Sequence, residues 1–250
     1  MRYVIYLCFS VFFTINTYGQ DVASIIKEAR RLETSLNEKA AFNKFKEVLH
    51  VQPNHLLATT KCSELASRIS KREKSKVIRE AYYSVAKSYA NASLKIDATS
   101  SDANAAMAIA MGRAALDKSG KEKIEAVKEI KKYCDLALKY NASNYVAWHI
   151  IGKWHYEVSN LNGLERAAAK IFFGGLPSAS LKESIQAYEK AKGIDPSFLL
   201  NYLELARAYK RNNEKQKAIQ MLQTLTSLQN KTEDDVNIKA EAVNFLKEIQ

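Results

Sequence analysis

Two stretches of the chain decide the fold: NYVAWHIIGKWHYEVSN (residues 144–160) and LKESIQAYEKAKGIDPSFLLNYLELARAYK (residues 181–210). In each, four residues recur at offsets 0, 3, 4 and 7, which places their side chains on one face of a helix. These residues are Trp148, Ile151, Gly152 and His155, and then Tyr202, Leu205, Ala206 and Tyr209. The small third member lets a neighbouring helix approach closely. Between the two sets, Leu181–Lys192 is predicted to be an amphipathic helix that ends at Gly193-Ile194-Asp195-Pro196.

This arrangement resembles a tetratricopeptide repeat, a pair of helices with a period of about 34 residues. The places of the second helix are taken by Ser184, Tyr188, Ala191 and Pro196. Trp148 and Tyr202 are 54 residues apart, so roughly twenty residues are inserted relative to that period. The insert, Leu161–Ser180, itself has a helical pattern that Gly174-Gly175 ends.

The insert makes the resemblance more specific. The segment GKWHYEVSNLNGLERAAAKIFFGGLPSAS (residues 152–180) is similar to the regulator of microtubule dynamics family, most closely over residues 144–225. Residues 21–143 match only as repeats. The resemblance implies a tetratricopeptide-like fold and a role linked to microtubules, mitochondria or lipid transfer. It also implies an intracellular location for the animal members.

The rest of the chain fits the same architecture. A first repeat spans Asp21–Asn54, two longer units follow up to Tyr140, and a fifth pair follows the insert-bearing fourth. After Thr232–Asp235 a last helix carries an apolar stripe, typical of a helix that covers the end of a repeat stack. Its members are Ile238, Ala242, Phe245 and Ile249. We predict an all-α, right-handed solenoid of about five helix pairs, with an inserted helix and a C-terminal capping helix.

The N-terminal residues indicate export. One Arg, an apolar run from Tyr3 to Ile15 and a short polar tail are typical of a signal peptide, with cleavage after Gly19. The predicted domains are thus a signal peptide (1–19) and a single repeat domain (20–250), in the bacterial periplasm or cell envelope. The alternative is an uncleaved segment that anchors the protein to a membrane.

The sequence offers little for catalysis. The four His residues form no metal-binding spacing, no phosphate-binding or nucleophile motif is present, and no carboxylate pair stands out. His155 and Trp148 are interpreted as core residues. Cys62 and Cys134 are better explained as buried thiols than as a disulfide. We therefore expect no enzyme activity, no cofactor and no metal.

The repeat register predicts a basic groove. In this repeat family the concave face is lined by places 2, 5, 9 and 12 of each first helix, and place 9 directly follows the small residue. Place 9 of units one, three, four and five is taken by Arg30, Arg113, Lys153 and Arg207, and place 12 of units four and five by Tyr156 and Lys210. Unit two is too irregular to register. Such a stripe would attract carboxylates or phosphates. The alternative is that Lys and Arg, 38 in this chain, simply fill exposed helix positions.

Two classes of function follow. The first is an exported scaffold that binds an acidic peptide or protein partner in the groove. The second is binding or transfer of an anionic lipid, in which Ile171, Phe172 and Phe173 of the insert, near Arg166 and Lys170, would cover a cavity or touch a membrane surface. Packing of the insert across the stack is the simpler expectation. The net charge of +11 would suit nucleic acid, but the export signal argues against it.

Overall fold

The described part of the chain comprises residues 17–116 and 118–250 of a computed structural model. Residues 1–16, which carry most of the predicted signal peptide, lie outside it, so that peptide and its cleavage stay predictions. Among the described residues the chain is helical and without strands. The helices are α1 (Thr17–Thr34), α2 (Glu38–Val51), α3 (Leu56–Arg72), α4 (Lys76–Ile96), α5 (Ser101–Ala115), α6 (Gly120–Tyr140), α7 (Tyr145–Ser159), α8 (Gly163–Phe173), α9 (Leu181–Ile194), α10 (Leu199–Arg211), α11 (Lys215–Ser227) and α12 (Asp235–Ile249).

The helices pack in pairs, as the sequence predicts. The pairs are α1 with α2, α3 with α4, α5 with α6, α7 with α9, and α10 with α11, and each pair also contacts the next. Helix α8 is the insert and lies against α6, while α12 packs on α11 and α10. The predicted five pairs, inserted helix and capping helix are therefore confirmed. The first helix of each pair alternates with the second, which is the arrangement of an α-solenoid.

Polar side chains begin most of the described helices. A side-chain acceptor just before the helix bonds the backbone N–H three residues on, which satisfies one of the free amides of the first turn. Seven of these helices begin this way, at Asn37, His55, Ser75, Ser100, Asn144, Asn162 and Ser180. Helix α8 ends at Gly174, whose left-handed φ of 69° is the conformation that glycine adopts most readily. These local signals fix the element boundaries.

Gly152 allows the neighbouring helix to approach closely, as the sequence pattern predicts. A Cβ built on Gly152 would lie 2.6 Å from Cδ1 of Tyr188, on the facing helix α9. Ser184 Oγ donates a hydrogen bond to the carbonyl of Gly152 at 2.7 Å. The ring of Tyr188 on α9 therefore packs directly against the backbone of α7 at Gly152. It fills the space that a side chain at Gly152 would take.

One expectation about burial needs correction. Trp148 is half-buried rather than a core residue, with its indole N–H donated to the carbonyl of Ala142 and the amine of Lys190 4.1 Å from its ring centre. The fully packed tryptophan of this helix is Trp154, 4% exposed. His155 is buried as predicted, and Cys62 and Cys134 are buried free thiols.

The insert does not pack across the stack with its whole apolar face. Leu164 is 81% exposed and Ile171 is 76% exposed, so two large apolar residues of the insert point to solvent. The side chains of Ala168, Phe172 and Phe173 lie outside the described part of the chain. Helix α8 contacts α6, and Ala169 is buried.

Candidate functional site

The predicted stripe divides into three parts in the structure. Lys153, Tyr156 and Arg207 come together between α7 and α10. Arg113 on α5 is half-buried and makes no hydrogen bond or ion pair with that cluster, although its charge acts on His149 of α7. Arg30 and Lys210 are exposed, with no hydrogen bond or ion pair from their side chains among the described residues. The stripe is therefore not a uniform row of free cations.

A buried carboxylate organises the α7–α10 cluster. Glu204, only 6% exposed, accepts hydrogen bonds from Lys153 Nζ at 3.0 Å and from Arg207 Nη1 at 2.6 Å. Lys153 also pairs with Glu157 at 2.9 Å, and Arg207 with Glu241 of α12. Burial alone would raise the pKa of Glu204, but the two cations outweigh it and hold that pKa below its usual value. Lys153 and Arg207, the place-9 cations of units four and five, are thus paired with carboxylates of the same chain.

Tyr156 forms the aromatic part of the cluster. Lys153 Nζ lies 5.6 Å from the centre of its ring and the Arg211 guanidinium 5.0 Å from it, both within cation–π range. Arg211 also donates to the backbone carbonyl of Tyr156 at 2.8 Å. Beneath, the hydroxyl of Tyr188 is buried and has no hydrogen-bond partner among the described residues. The result is a half-buried aromatic surface held by two cations.

His149 ties the same two helices together. Its Nδ1 lies 3.0 Å from Oδ1 of the fully buried Asn201, whose amide in turn donates to the carbonyl of Tyr188. Burial lowers the pKa of His149, although the bond with Asn201 and the charge of Glu204 oppose that shift. A buried imidazole with a lowered pKa therefore lies at place 5 of unit four.

Arg113 is the least satisfied cation of the predicted set. Among the described residues its guanidinium makes no hydrogen bond and no ion pair, although it is half-buried. Burial lowers its pKa, and the groups that favour its charge are Asp234 and Tyr83. An arginine has five N–H donors, and leaving them unpaired away from water costs free energy. Among the described residues, Arg113 is thus the half-buried cation of the predicted stripe whose donors have no acceptor.

A second charged network, which the sequence analysis missed, joins the two ends of the chain. The carboxylate of Glu38, 0% exposed, accepts from Arg68 Nη1 at 2.9 Å and from Arg72 Nη2 at 2.6 Å. Arg68 also bonds Glu33 at 2.6 Å. Arg72 reaches Asp234 at 3.2 Å, which connects unit two to the segment before α12. These five charged residues belong to one network, which Lys61, Lys71 and Glu233 extend.

The structure shows the repeat register of unit two, which could not be assigned from the sequence. Its offsets 0, 3, 4 and 7 are filled by four core residues, Cys62, Leu65, Ala66 and Ile69. Place 9 is then Ser67, which is fully buried, so the basic stripe is interrupted in this unit. The charged face of α3 lies one residue further on, at Arg68. The absence of an aromatic residue hid this register in the sequence.

Two open clefts flank these clusters. One, of about 270 Å³, lies between the end of α7 and the insert and includes Arg166, Lys170 and Pro177. The other, of about 520 Å³, lies beside Arg72 and Glu233. Within residues 17–116 and 118–250, no three His, Cys, Asp or Glu residues are grouped as a metal site. No helix in that part of the chain has the length and apolar character to cross a membrane.

Comparison with known proteins identifies the family. The family model for Regulator of microtubule dynamics protein 1-3 matches residues 25–250. The chain belongs to this family. Regulator of microtubule dynamics protein 1 of Mus musculus is 29% identical over 181 residues, covering 72% of this chain and 58% of that protein. The Caenorhabditis elegans protein of the same name is 25% identical over 186 residues, covering 74% and 80%. The chain thus spans little more than half the length of the mouse relative.

Solved structures agree on the fold. A thermophilic TPR protein from Thermus thermophilus superposes with a TM-score of 0.66 at 10% identity, covering 90% of this chain and 99% of that one. Pseudomonas aeruginosa pilF gives a TM-score of 0.54 at 12% identity, with 94% of both chains covered. At such low identity these likenesses show the tetratricopeptide-type solenoid and nothing about ligands. The resemblance read from the insert is confirmed, and the sequence relatives named above are animal proteins.

Proposed function

We propose that this protein is a non-catalytic tetratricopeptide-type scaffold that binds an acidic peptide or protein segment on its concave face. The observation that carries the proposal is Arg113, a half-buried guanidinium without a hydrogen-bond acceptor among the described residues. A carboxylate from a partner would supply charge-assisted, bidentate hydrogen bonds that the folded chain does not provide. Arg30 and Lys210 add exposed positive charge on the same predicted stripe.

The packing behind the stripe supports a peptide rather than an enclosed lipid. Leu203, Leu205 and Ala206 of α10 are each at most 1% exposed, and Tyr188 is fully buried beneath Tyr156. The space behind the cations is therefore filled with side chains at this point. An extended peptide needs only the surface of the groove.

Binding of a labelled ten-residue Glu-rich peptide, followed by fluorescence anisotropy, tests the proposal. Arg113→Gln removes the free guanidinium and is expected to weaken binding about ten-fold or more, because one charge-assisted hydrogen bond contributes about 1.5–3 kcal/mol. Lys87→Gln, an equal change of charge at an exposed position of α4, is the matched control and should bind within about two-fold of the parent protein. If both variants weaken peptide binding equally, the effect comes from the net charge alone and the proposal is overturned.

A second candidate function rests on a different surface. The four most exposed large apolar residues of the described chain are Val77 (76%), Leu116 (68%), Leu164 (81%) and Ile171 (76%). All lie at or near connections from a first to a second helix, which share one edge of an antiparallel stack. Lysines and arginines accompany them, at Lys74, Lys76, Lys118, Lys121, Arg166 and Lys170. Exposed apolar side chains surrounded by Lys and Arg are suited to bind the surface of an anionic membrane.

Vesicle co-sedimentation separates the two candidates. Salt-sensitive binding to anionic but not neutral vesicles, lost when these four apolar residues are changed to Ser and kept in Arg113→Gln, would place a membrane contact at this edge. Binding unaffected by the Ser changes would mean only that a basic protein adheres to a negative surface.

The names of the relatives also suggest a cellular process in which the protein acts. The relatives are named for microtubule dynamics, and an acidic partner surface would be compatible with the same groove. Co-sedimentation with polymerised tubulin, with and without Arg113→Gln, addresses that role. Export to a periplasm, predicted from residues 1–19, stays a separate hypothesis that N-terminal sequencing of the purified protein tests.

A further inference from the structure

The connection between α11 and α12 presents two acidic side chains in a fixed turn. Asp235 Oδ2 accepts the backbone N–H groups of Lys231 at 2.7 Å and Thr232 at 2.8 Å, which holds residues 231–235 in a tight bend. Asp235 is thereby used within the turn. Glu233 and Asp234 make their bonds elsewhere in the molecule.

Both of these carboxylates bond to the other end of the solenoid. Glu233 Oε1 accepts the backbone N–H of Glu38 at 2.6 Å, and its Oε2 lies 3.3 Å from Arg72 Nη2. Asp234 Oδ1 accepts from Arg72 Nη1 at 3.2 Å, and its Oδ2 lies 3.6 Å from Lys71 Nζ. The hydrogen bonds among these contacts join residues 162 and 195 positions apart. The acidic turn therefore occupies a basic site that repeats one and two provide.

The site extends beyond what the turn fills. Asp234 is the carboxylate that favours the charge of Arg113, yet it forms no hydrogen bond with that guanidinium. On the other side of Glu233 lies the open cleft of about 520 Å³, whose charged lining comprises Lys39, Arg72, Lys74 and the carboxylates of Glu73 and Glu233. Lys39 pairs with Glu73 at 2.9 Å, which leaves Lys74 as the lining cation without an ion pair among the described residues.

The contacts of Glu233 and Lys71 are of the kind that can be exchanged. The Glu233 side chain is 31% exposed and that of Lys71 is 35% exposed, and ion pairs of such solvated groups contribute little to stability. The Asp234 side chain is only 9% exposed, so its hydrogen bond with Arg72 is the buried contact of the turn. Release of the turn leaves Glu38 paired with Arg68 and Arg72. Helix α12 remains anchored through Ile238, Ala242 and Ile249, which are buried.

We propose that Glu233 and Asp234 form an internal ligand, which occupies a binding site for an acidic segment of a partner protein and must be displaced when that partner binds. The site comprises Arg72, Lys71, Arg113 and the backbone N–H of Glu38. The inference rests on the proposed function, because it identifies where an acidic peptide would bind and what competes with it. A tethered competitor acts at high effective concentration, so it sets a threshold for partners that bind weakly.

A peptide copied from the chain itself is the direct probe. The peptide QNKTEDDVN, residues 229–237, is titrated into the full chain, and the Nε–H signals of Arg72 and Arg113 are followed by nuclear magnetic resonance. The double variant Glu233→Gln/Asp234→Asn is expected to bind this peptide at least ten-fold tighter than the unmodified chain. Adding Arg113→Gln to the double variant should remove most of that gain.

Two controls keep the test specific. A peptide with Gln and Asn in place of Glu233 and Asp234 should not bind, and Glu248→Gln, an exposed change of charge on α12, should behave as the unmodified chain. If the double variant does not fold, Glu233→Gln alone should give a smaller gain, and no gain from a folded single variant would overturn the inference.

The outcomes also separate this inference from the proposed function. If the double variant binds QNKTEDDVN no better than the unmodified chain does, while the Glu-rich peptide still binds through Arg113, the internal ligand is wrong and the scaffold proposal stands. If neither peptide binds either protein, both proposals are wrong.

Discussion

Gly152 shows how one residue sets the distance between two helices. Its missing side chain leaves room for the ring of Tyr188, whose Cγ, Cδ1 and Cε1 would all lie within 2.8 Å of an added Cβ. Tyr188 is 0% exposed and Ser184 bonds the Gly152 carbonyl, so the ring has no open space into which to move. The requirement for glycine is therefore steric and local to one contact.

Replacing Gly152 with Ala tests this requirement. The variant is expected to lose about 1–3 kcal/mol of unfolding free energy, the usual cost of overpacking a filled core. Gly193→Ala is the matched control: no heavy atom lies within 4 Å of its added Cβ, so stability should stay the same or rise by up to about 1 kcal/mol. Urea denaturation measures both. A neutral Gly152→Ala would mean that α9 moves away without loss of packing.

Arginines of this chain differ according to what surrounds them. Arg68 is enclosed by Glu33 and Glu38, which raise its pKa in spite of burial, whereas burial prevails at Arg113 and lowers its pKa. Both are basic residues on first helices. Only the contacts distinguish a cation that is paired within the fold, such as Arg68, from one without a carboxylate partner among the described residues, such as Arg113.

At the scale of elements, α7 and α10 are joined by polar groups as well as by packing. His149 contacts Asn201, and Glu204 holds Lys153. Burial lowers the pKa of His149 and of His155 on the same helix. A buried neutral imidazole links the stability of these two helices to pH.

The pH dependence of unfolding follows from the sign of these shifts. A histidine whose folded pKa lies below its unfolded value of about 6.5 binds more protons when unfolded, so stability falls as pH drops below about 6.5. We expect the urea midpoint to decrease between pH 7.5 and 5. His149→Asn should reduce that slope, while exposed His50→Asn should leave it unchanged. An unchanged slope in His149→Asn would show that other groups titrate in this window.

On the scale of the whole molecule, the two ends of the solenoid meet. Arg72 contacts Glu38 of the first pair and Asp234 before the capping helix. In repeat proteins each unit ordinarily contacts only its neighbours. Here a charged network adds a long-range connection, and Glu38 is its fully buried centre.

Removing the charge of Glu38 should lower the free energy of unfolding more than removing the charge of Glu233. Glu38→Gln leaves Arg68 and Arg72 without their buried partner and is expected to destabilise the protein by about 3 kcal/mol or more. Glu233→Gln keeps an acceptor for the Glu38 N–H and should cost less than about 1 kcal/mol. Both are measured as unfolding free energies in urea. Equal small losses would mean that Glu33 and Asp234 replace Glu38.

The sequence by itself determined the helix pairs, the insert, the capping helix and the family. Each is encoded by local spacing, since the period of apolar residues fixes which face of a helix is buried. Only the tertiary structure decided which cations are free. Glu204 neutralises Lys153 and Arg207 from α10, and the acidic turn reaches Arg72 from more than 150 residues away. Such contacts depend on small rotations summed over every packed pair, which no single repeat encodes.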